Sequence, residues 1–279
     1  MKIQHAPAFT TALLTATAIP VFLTDGAAHA ANTAPFTETF SDPVDGFDFD
    51  VFTPEPDNAY TFTPNTVDGT LDVSLTSGAT AYTFVEVDGV PSTVNTQVRV
   101  STDFTLTDGN TATTRIGFVL FGQEPVIKTN GNPEAYVAFI SEPGGVGAAP
   151  EFDVFENNQF IFGTASPFTN ITDALDQSSY NLEVVATILV DEILFDFTLT
   201  DLNNPSLVES GSILYTDVPG PPTGEFFGLA IDRNNAGPAS SIVFDNFSVS
   251  SSVIPEPASA LLFAAGLGLL VRRRPNRRA

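Results

Sequence analysis

The chain has no cysteine and no tryptophan in 279 residues, and only two histidines, His5 and His29. Disulfides, thiol catalysis and thiolate-bound metals are excluded. Both histidines precede Ala31, so the rest of the chain also lacks imidazole. Ser-His-Asp catalysis, Cys-His catalysis and His-ligated zinc have no residues to work with there. Positive charge is nearly as scarce. Of ten Lys and Arg residues, Lys2 lies at the start and Arg272, Arg273, Arg274, Arg277 and Arg278 lie at the end. Between Ala31 and Ile254 only Arg99, Arg115, Lys128 and Arg233 remain, against 31 Asp and Glu, a formal net charge of −27. Such a surface repels phosphate backbones and argues against a nucleic-acid partner. It favours solubility and leaves carboxylate chemistry and oxygen-ligated cations as the available options.

Long apolar runs are also few, and they mark the two ends. Lys2, the mostly apolar run 12–23 and Ala28-His29-Ala30 form the basic start, short core and A-x-A site of a secretory signal peptide. Cleavage is expected between Ala30 and Ala31, and the run is too short for a membrane anchor. At the other end Pro255-Glu256-Pro257 precede an uncharged segment, 258–271, and then the Arg cluster. As a helix that segment extends about 21 Å, short of the roughly 30 Å bilayer core, so it spans only by thinning the bilayer or extending toward Val253. The arginines should stay cytoplasmic, which places the acidic middle outside the inner membrane.

Pro-Glu-Pro, one apolar helix and a terminal Arg cluster, in that order, resemble the PEP-CTERM sorting signal of Gram-negative bacteria that make extracellular polysaccharide. The resemblance covers residues 253–279. It implies a sorting motif of Pro255, Glu256, Pro257, Arg272, Arg273 and Arg274, with exosortase as the processing partner. The inner membrane is then a transient partner, and the destination is the cell surface or the extracellular matrix. The alternative is a C-terminal anchor that is never cleaved.

The expected organisation is a signal peptide, 1–30, an acidic ectodomain, 31–252, and the sorting signal, 253–279. Apolar residues in the ectodomain recur with period two, as in Val98, Val100, Phe104 and Leu106, or Tyr180, Leu182, Val184, Ala186, Ile188 and Val190. Asp191-Glu192 reads as a tight turn, and Ile193, Phe195, Phe197 and Leu199 return as a second hairpin arm. Further strands are expected over 47–53, 70–75, 81–87, 116–121, 135–141, 151–156, 159–164, 225–232 and 242–249. Asp68-Gly69, Asp88-Gly89, Asp108-Gly109 and Pro219-Gly220 supply turns between them. Abundant Thr and 25 Phe suit half-buried pleated surfaces. The fold class is therefore all-β: a two-sheet antiparallel sandwich, flanked by the signal helix and the C-terminal helix. The opening Phe36-Thr37-Glu38-Thr39-Phe40, the long arm 180–190, Phe227-Gly228-Leu229-Ala230-Ile231 and the closing 244–249 resemble the concanavalin A-like lectin/glucanase jelly roll. The resemblance implies that the first and last strands lie side by side.

Three constellations bear on function. Glu151-Phe152-Asp153-Val154-Phe155-Glu156 has an E-x-D-x-x-E spacing that resembles the catalytic strand of laminarinase-like retaining β-glucanases. That resemblance implies Glu151 as nucleophile, Asp153 as electrostatic helper and Glu156 as acid/base. On a regular strand, however, Glu156 points away from the other two, and only a bulge after Asp153 brings it round. The plainer expectation is a core face of Phe152 and Val154 with Glu151 and Asp153 solvated, and no catalytic residue is favoured. Asp245, on the closing strand, is a candidate ligand for a structural Ca²⁺, which prefers hard oxygen donors; no other cofactor is expected. Tyr60, Tyr82, Tyr136, Tyr180 and Tyr215 are the only tyrosines and do not cluster into a sugar-stacking platform. The favoured reading is a non-catalytic, lectin-like surface or matrix protein with extracellular polysaccharide as its ligand class. A glycoside hydrolase and a purely structural, self-associating surface component are the alternatives.

Overall fold

Strict alternation of apolar and polar side chains dictates the longest strands. β6 (Thr96–Thr107) buries every second side chain from Thr96 to Leu106. β11 (Ser179–Ile188) and β12 (Glu192–Asp201) do the same and pair as one hairpin, from Tyr180 opposite Asp201 to Ile188 opposite Ile193. Asp191 closes the turn at φ 57°, a left-handed conformation that Asp tolerates better than most residues. The computed structural model describes residues 36–40, 60–75, 79–87, 89–90, 93–107, 114–123, 135–142, 150–156, 159–162, 168–171, 175, 178–216, 218, 220–233 and 240–254. The expected signal peptide, residues 1–30, and the expected sorting signal from Pro255 onward lie outside them, as do the two helices expected there and the strand expected over 47–53. Among the described residues no helix is long and apolar enough to cross a membrane.

The remaining strands are β1 (Phe36–Glu38), β2 (Tyr60–Asn65), β3 (Thr70–Leu75), β4 (Ala79–Tyr82), β5 (Val85–Glu86), β7 (Thr114–Gly122), β8 (Tyr136–Glu142), β9 (Glu151–Glu156), β10 (Gln159–Phe162), β13 (Val208–Thr216), β14 (Phe226–Arg233) and β15 (Ser240–Val253). They form two antiparallel sheets. The eight-stranded sheet runs β13-β12-β11-β6-β15-β3-β2, with β1 also on β15; the seven-stranded sheet runs β10-β9-β8-β7-β14-β4, with β5 also on β14. Phe36 pairs with Val249 and Glu38 with Phe247, so the first and last strands are neighbours. The single strand expected over 81–87 is instead broken into β4 and β5. Between them Thr83 accepts the Leu229 amide through Oγ1 at 3.0 Å, and its own amide donates to the Leu229 carbonyl at 2.9 Å.

The core lies between the sheets. Phe152 of β9 stacks on Phe197 of β12 at 4.6 Å between ring centroids, and Tyr136 of β8 packs on Phe195 and Tyr215 at 5.7 and 5.6 Å. Phe118 meets Phe247 across the same gap at 6.2 Å. The two sheets differ in their outer faces. On the eight-stranded sheet that face is polar and half-exposed: Gln97, Ser101, Asp103 and Thr105 of β6 lie beside Asn181 and Glu183 of β11. On the seven-stranded sheet part of the outer face is apolar and buried as well, through Val119, Val137, Phe139, Phe155 and Ala230. Both faces of β7 and β8 are thus buried, as in the continuous apolar run 116–121.

Candidate functional site

β9 carries the carboxylates whose spacing drew attention in the sequence. It pairs with β8 in unbroken register, Ser141 opposite Glu151 through Tyr136 opposite Glu156. No bulge follows Asp153 on that side. Glu151, Asp153 and Phe155 therefore share the outer face, while Phe152, Val154 and Glu156 face the inter-sheet core. Glu156 accepts a hydrogen bond from the Tyr215 hydroxyl of β13 at 2.9 Å. Retaining hydrolysis needs two carboxyls about 5–5.5 Å apart flanking one bond. Here the implied nucleophile and acid/base lie on opposite sides of the sheet.

Asp153 also departs from the expectation that it is solvated. It is only 2% exposed. Its carboxylate accepts the Ser141 hydroxyl of β8 and lies 3.8 Å from Nε of Arg115 on β7. Arg115 donates from Nε to Ser141 Oγ at 3.1 Å and from Nη1 to Asp232 Oδ2 of β14 at 2.6 Å, and its guanidinium sits 5.2 Å from the centre of the Phe155 ring. One cation thus ties together four adjacent strands, β14, β7, β8 and β9. Cross-strand register brings Asp232 opposite Arg115 and Arg115 opposite Ser141. Burial pushes the Asp153 carboxyl above its ordinary 3.8, against the Ser141 bond and the Arg115 charge, which pull it down. Glu151 is raised too, first by burial, then by the Asp153 charge, with Arg115 opposing. The row pins strands and shields one buried charge with another. Sequence pattern gives Arg115 and Asp232 no role; the scarcity of cations between Ala31 and Ile254 was the available signal.

Asp245 lies on the outer face of the eight-stranded sheet, directly opposite Asp103 of β6. A bulge between Asp245 and Ser248 turns the chain here, with Asn246 at φ 55°. Asp103 accepts Asn181 Nδ2 at 2.7 Å on one oxygen and Asn246 Nδ2 at 2.9 Å on the other, and Asp245 Oδ1 accepts the Asn246 amide at 2.7 Å. Burial raises the Asp245 carboxyl, the Asn246 amide offsets this, and the Asp103 charge adds to it. Ca²⁺ takes six to eight oxygens. Among the described residues no group of three His, Cys, Asp or Glu is arranged to hold a metal, and N–H donors already face both Asp103 oxygens. The described residues around Asp245 do not by themselves make a Ca²⁺ shell.

No protein-family model matches the sequence, and no curated protein matches it. Solved structures do. The lectin from Bauhinia forficata in complex with GalNAc is similar at 9% identity over 79% of this chain and 99% of that one, with a TM-score of 0.49. Arcelin-5, a lectin-like defense protein from Phaseolus vulgaris, is similar at 12% identity over 78% and 98%, with a TM-score of 0.47. The CBM2 module of the evolved Dit of Lactobacillus casei BL23 phage J-1 is similar at 10% identity over 79% and 96%, with a TM-score of 0.46.

Among the described residues few aromatic side chains are exposed. Tyr82, Tyr136, Tyr180 and Tyr215 are all buried, and none forms a stacking platform. The polar outer face of the eight-stranded sheet holds a shallow recess between β11, β6 and β15, lined by Gln97, Arg99, Val185, Ser250, Ser251 and Ser252. Arg99 in its lining pairs with Glu183 at 2.8 Å.

Proposed function

We propose that the chain is an exported, exosortase-sorted protein of the cell surface or extracellular matrix, whose non-catalytic, concanavalin A-like sandwich contacts polysaccharide. The observation that carries the reading is the position of the motif just after a described strand. β15 lies inside the eight-stranded sheet, between β6 and β3, and stops at Val253. Among the described residues the last backbone hydrogen bond runs from the Ile254 amide to the Asn95 carbonyl at 2.7 Å, one residue before Pro255-Glu256-Pro257. Cutting at that motif would leave every described strand in place. The opposite facing of Glu151 and Glu156 supports a non-catalytic role. The hydroxyl, amide and carboxyl groups of Ser101, Asp103, Thr105, Asn181 and Ser248 on one sheet face are the donors and acceptors that sugars use.

The test is expression of the full chain in a polysaccharide-secreting Gram-negative host with and without its exosortase. The surface protein should end near Pro257 only when the enzyme is present. Surface protein that retains residues 258–279 in both hosts would refute the sorting reading. A glycan array and a β-glucan turnover assay on the recovered protein, beside Glu151→Gln, should give binding without turnover, unchanged by the substitution. Turnover abolished in the variant would refute the non-catalytic reading.

A further inference from the structure

Three strands of the eight-stranded sheet end level with one another. Val253 of β15 lies opposite Thr96 of β6, and Thr96 lies opposite Ile188 of β11. Asn95 stitches the three ends together. Its carbonyl accepts the Ile254 amide at 2.7 Å, and its amide donates to the Ile188 carbonyl at 2.8 Å. The end of β11, where the chain turns into β12, is therefore two strand spacings, about 10 Å, from the last anchored residue of β15. This end of the sheet is apolar for a surface: Val94, Leu189, Val190, Val253 and Ile254 are all half-exposed or exposed. Val190 is 68% exposed and Val253 59%, and among the large apolar side chains described only Val67 is more open than both. Asp191 and Glu192 follow Val190 in the turn. The opposite end of the hairpin is polar, where the loop 201–206 sets Asp201, Asn203, Asn204 and Ser206 around Leu202 and Pro205.

Chain reach turns the apolar end toward one partner. Only Pro255, Glu256 and Pro257 separate Ile254 from the uncharged segment 258–271. The four residue steps from Ile254 to Ala258 cover at most about 14 Å. With 258–271 inserted in a bilayer, the anchored end of β15 has no room to stand off from it, and the ten-residue β11 rises about 30 Å from the surface. We infer, on the reading of 258–271 as a membrane segment, that before it is cut the domain stands on the phospholipid surface by this end, with Leu189, Val190 and Val253 at headgroup depth. Apolar side chains lose water there, while the carboxylates of Asp191 and Glu192 keep the end from sinking into hydrocarbon and meet the ammonium groups of zwitterionic lipids. The loop 201–206 then points away from the membrane, and the polar outer face of the sheet stands upright on it.

The lack of cysteine makes any introduced thiol the only one. Protein recovered from a host without exosortase, with residues 258–279 retained, is placed in phosphatidylcholine nanodiscs that carry a nitroxide on the lipid headgroup. A bimane label is attached at Val253→Cys, Val190→Cys or Leu202→Cys. The first reports insertion of the tail and the second the stance of the domain. Both should be quenched at least about fivefold more than the Leu202 label, which stands about 30 Å higher. Should Val190→Cys lower the melting temperature, Thr216→Cys replaces it, since Thr216 pairs with Glu192 at the same end. A quenched Val253 label beside a Val190 label no more quenched than Leu202 overturns the stance and leaves the sorting reading in place. Equal quenching at all three sites also overturns it, because the domain then lies flat. Protein that does not enter the nanodiscs refutes the membrane reading of the tail, and the stance falls with it.

Discussion

Asn170 donates its backbone amide to Oε2 of Glu209 at 2.7 Å, thirty-nine positions away in the chain. The same oxygen takes the amides of Thr169 at 3.0 Å and Ile171 at 3.4 Å. Three consecutive N–H groups converge on one nearly buried carboxylate, so a segment without regular structure is held against the edge of the eight-stranded sheet.

Replacing Glu209 by Ala leaves those amides without their acceptor, and the expected cost is about 2 kcal/mol, the range for stranded buried donors. Glu209→Gln keeps one acceptor oxygen and should lose roughly half of that. Urea unfolding of the three proteins checks both. Equal stability for Ala and wild type would mean that the carboxylate anchors nothing.

Asp153 gives a pH signature. Its native carboxyl titrates above the ordinary 3.8 because burial disfavours the ion. Between the ordinary and the raised value the native state holds more protons here than the unfolded state, so this group makes stability fall as pH rises through that window. Asn cannot ionise, and its amide oxygen still accepts the Ser141 hydroxyl. The stability of Asp153→Asn relative to wild type should therefore increase from pH 4 to pH 7. The loss of the Asp153 charge also relieves Glu151, which acts in the same direction. Unfolding series at four pH values decide the matter, and a difference that is flat or shrinks with pH contradicts the assignment.

Asn246 holds a left-handed conformation at the β15 bulge. Asn246→Ala should cost about 1–2 kcal/mol from backbone strain, on top of the lost bond to Asp103. Asn246→Gly should recover most of the strain. If Ala and Gly melt at the same temperature, the cost lies in the side chain and not in the backbone.

Phe152 and Phe197 are the stacked pair that couples the sheets. Truncating Phe152 to Ala opens a cavity between them and should destabilise the chain by about 3–5 kcal/mol. A loss below about 1 kcal/mol would show that the sheets repack without it.

The strands that read most clearly in the sequence are those with one wet face. β6, β11 and β12 alternate because water lies on one side and core on the other. The sequence pattern missed β13, since Val208 and Leu214 point outward while Glu209 and Gly211 point inward, which erases the period. The opposite facing of Glu151 and Glu156 was legible, because strand geometry alone fixes it. The burial of Asp153 was not. It depends on Arg115, Ser141 and Asp232, which lie far apart in sequence and meet only through the register of β14, β7, β8 and β9. The break between β4 and β5 was hidden in an apolar run whose Thr83 turns out to bond the backbone of a strand more than a hundred residues later.

The position of β15 has a consequence for the order of assembly. The last of the described strands to be made lies inside its sheet, flanked by β6 on one side and by β3 and β1 on the other. Until it arrives, β6 and β3 have nothing between them, and half of the sandwich lacks its spine. Synthesis proceeds at about 5–20 residues per second, so the emerging sheet stays open until residues 240–253 are free to join. A sandwich closed by a strand made so late stays open for most of its synthesis, and its larger sheet completes only when residues 240–253 are free.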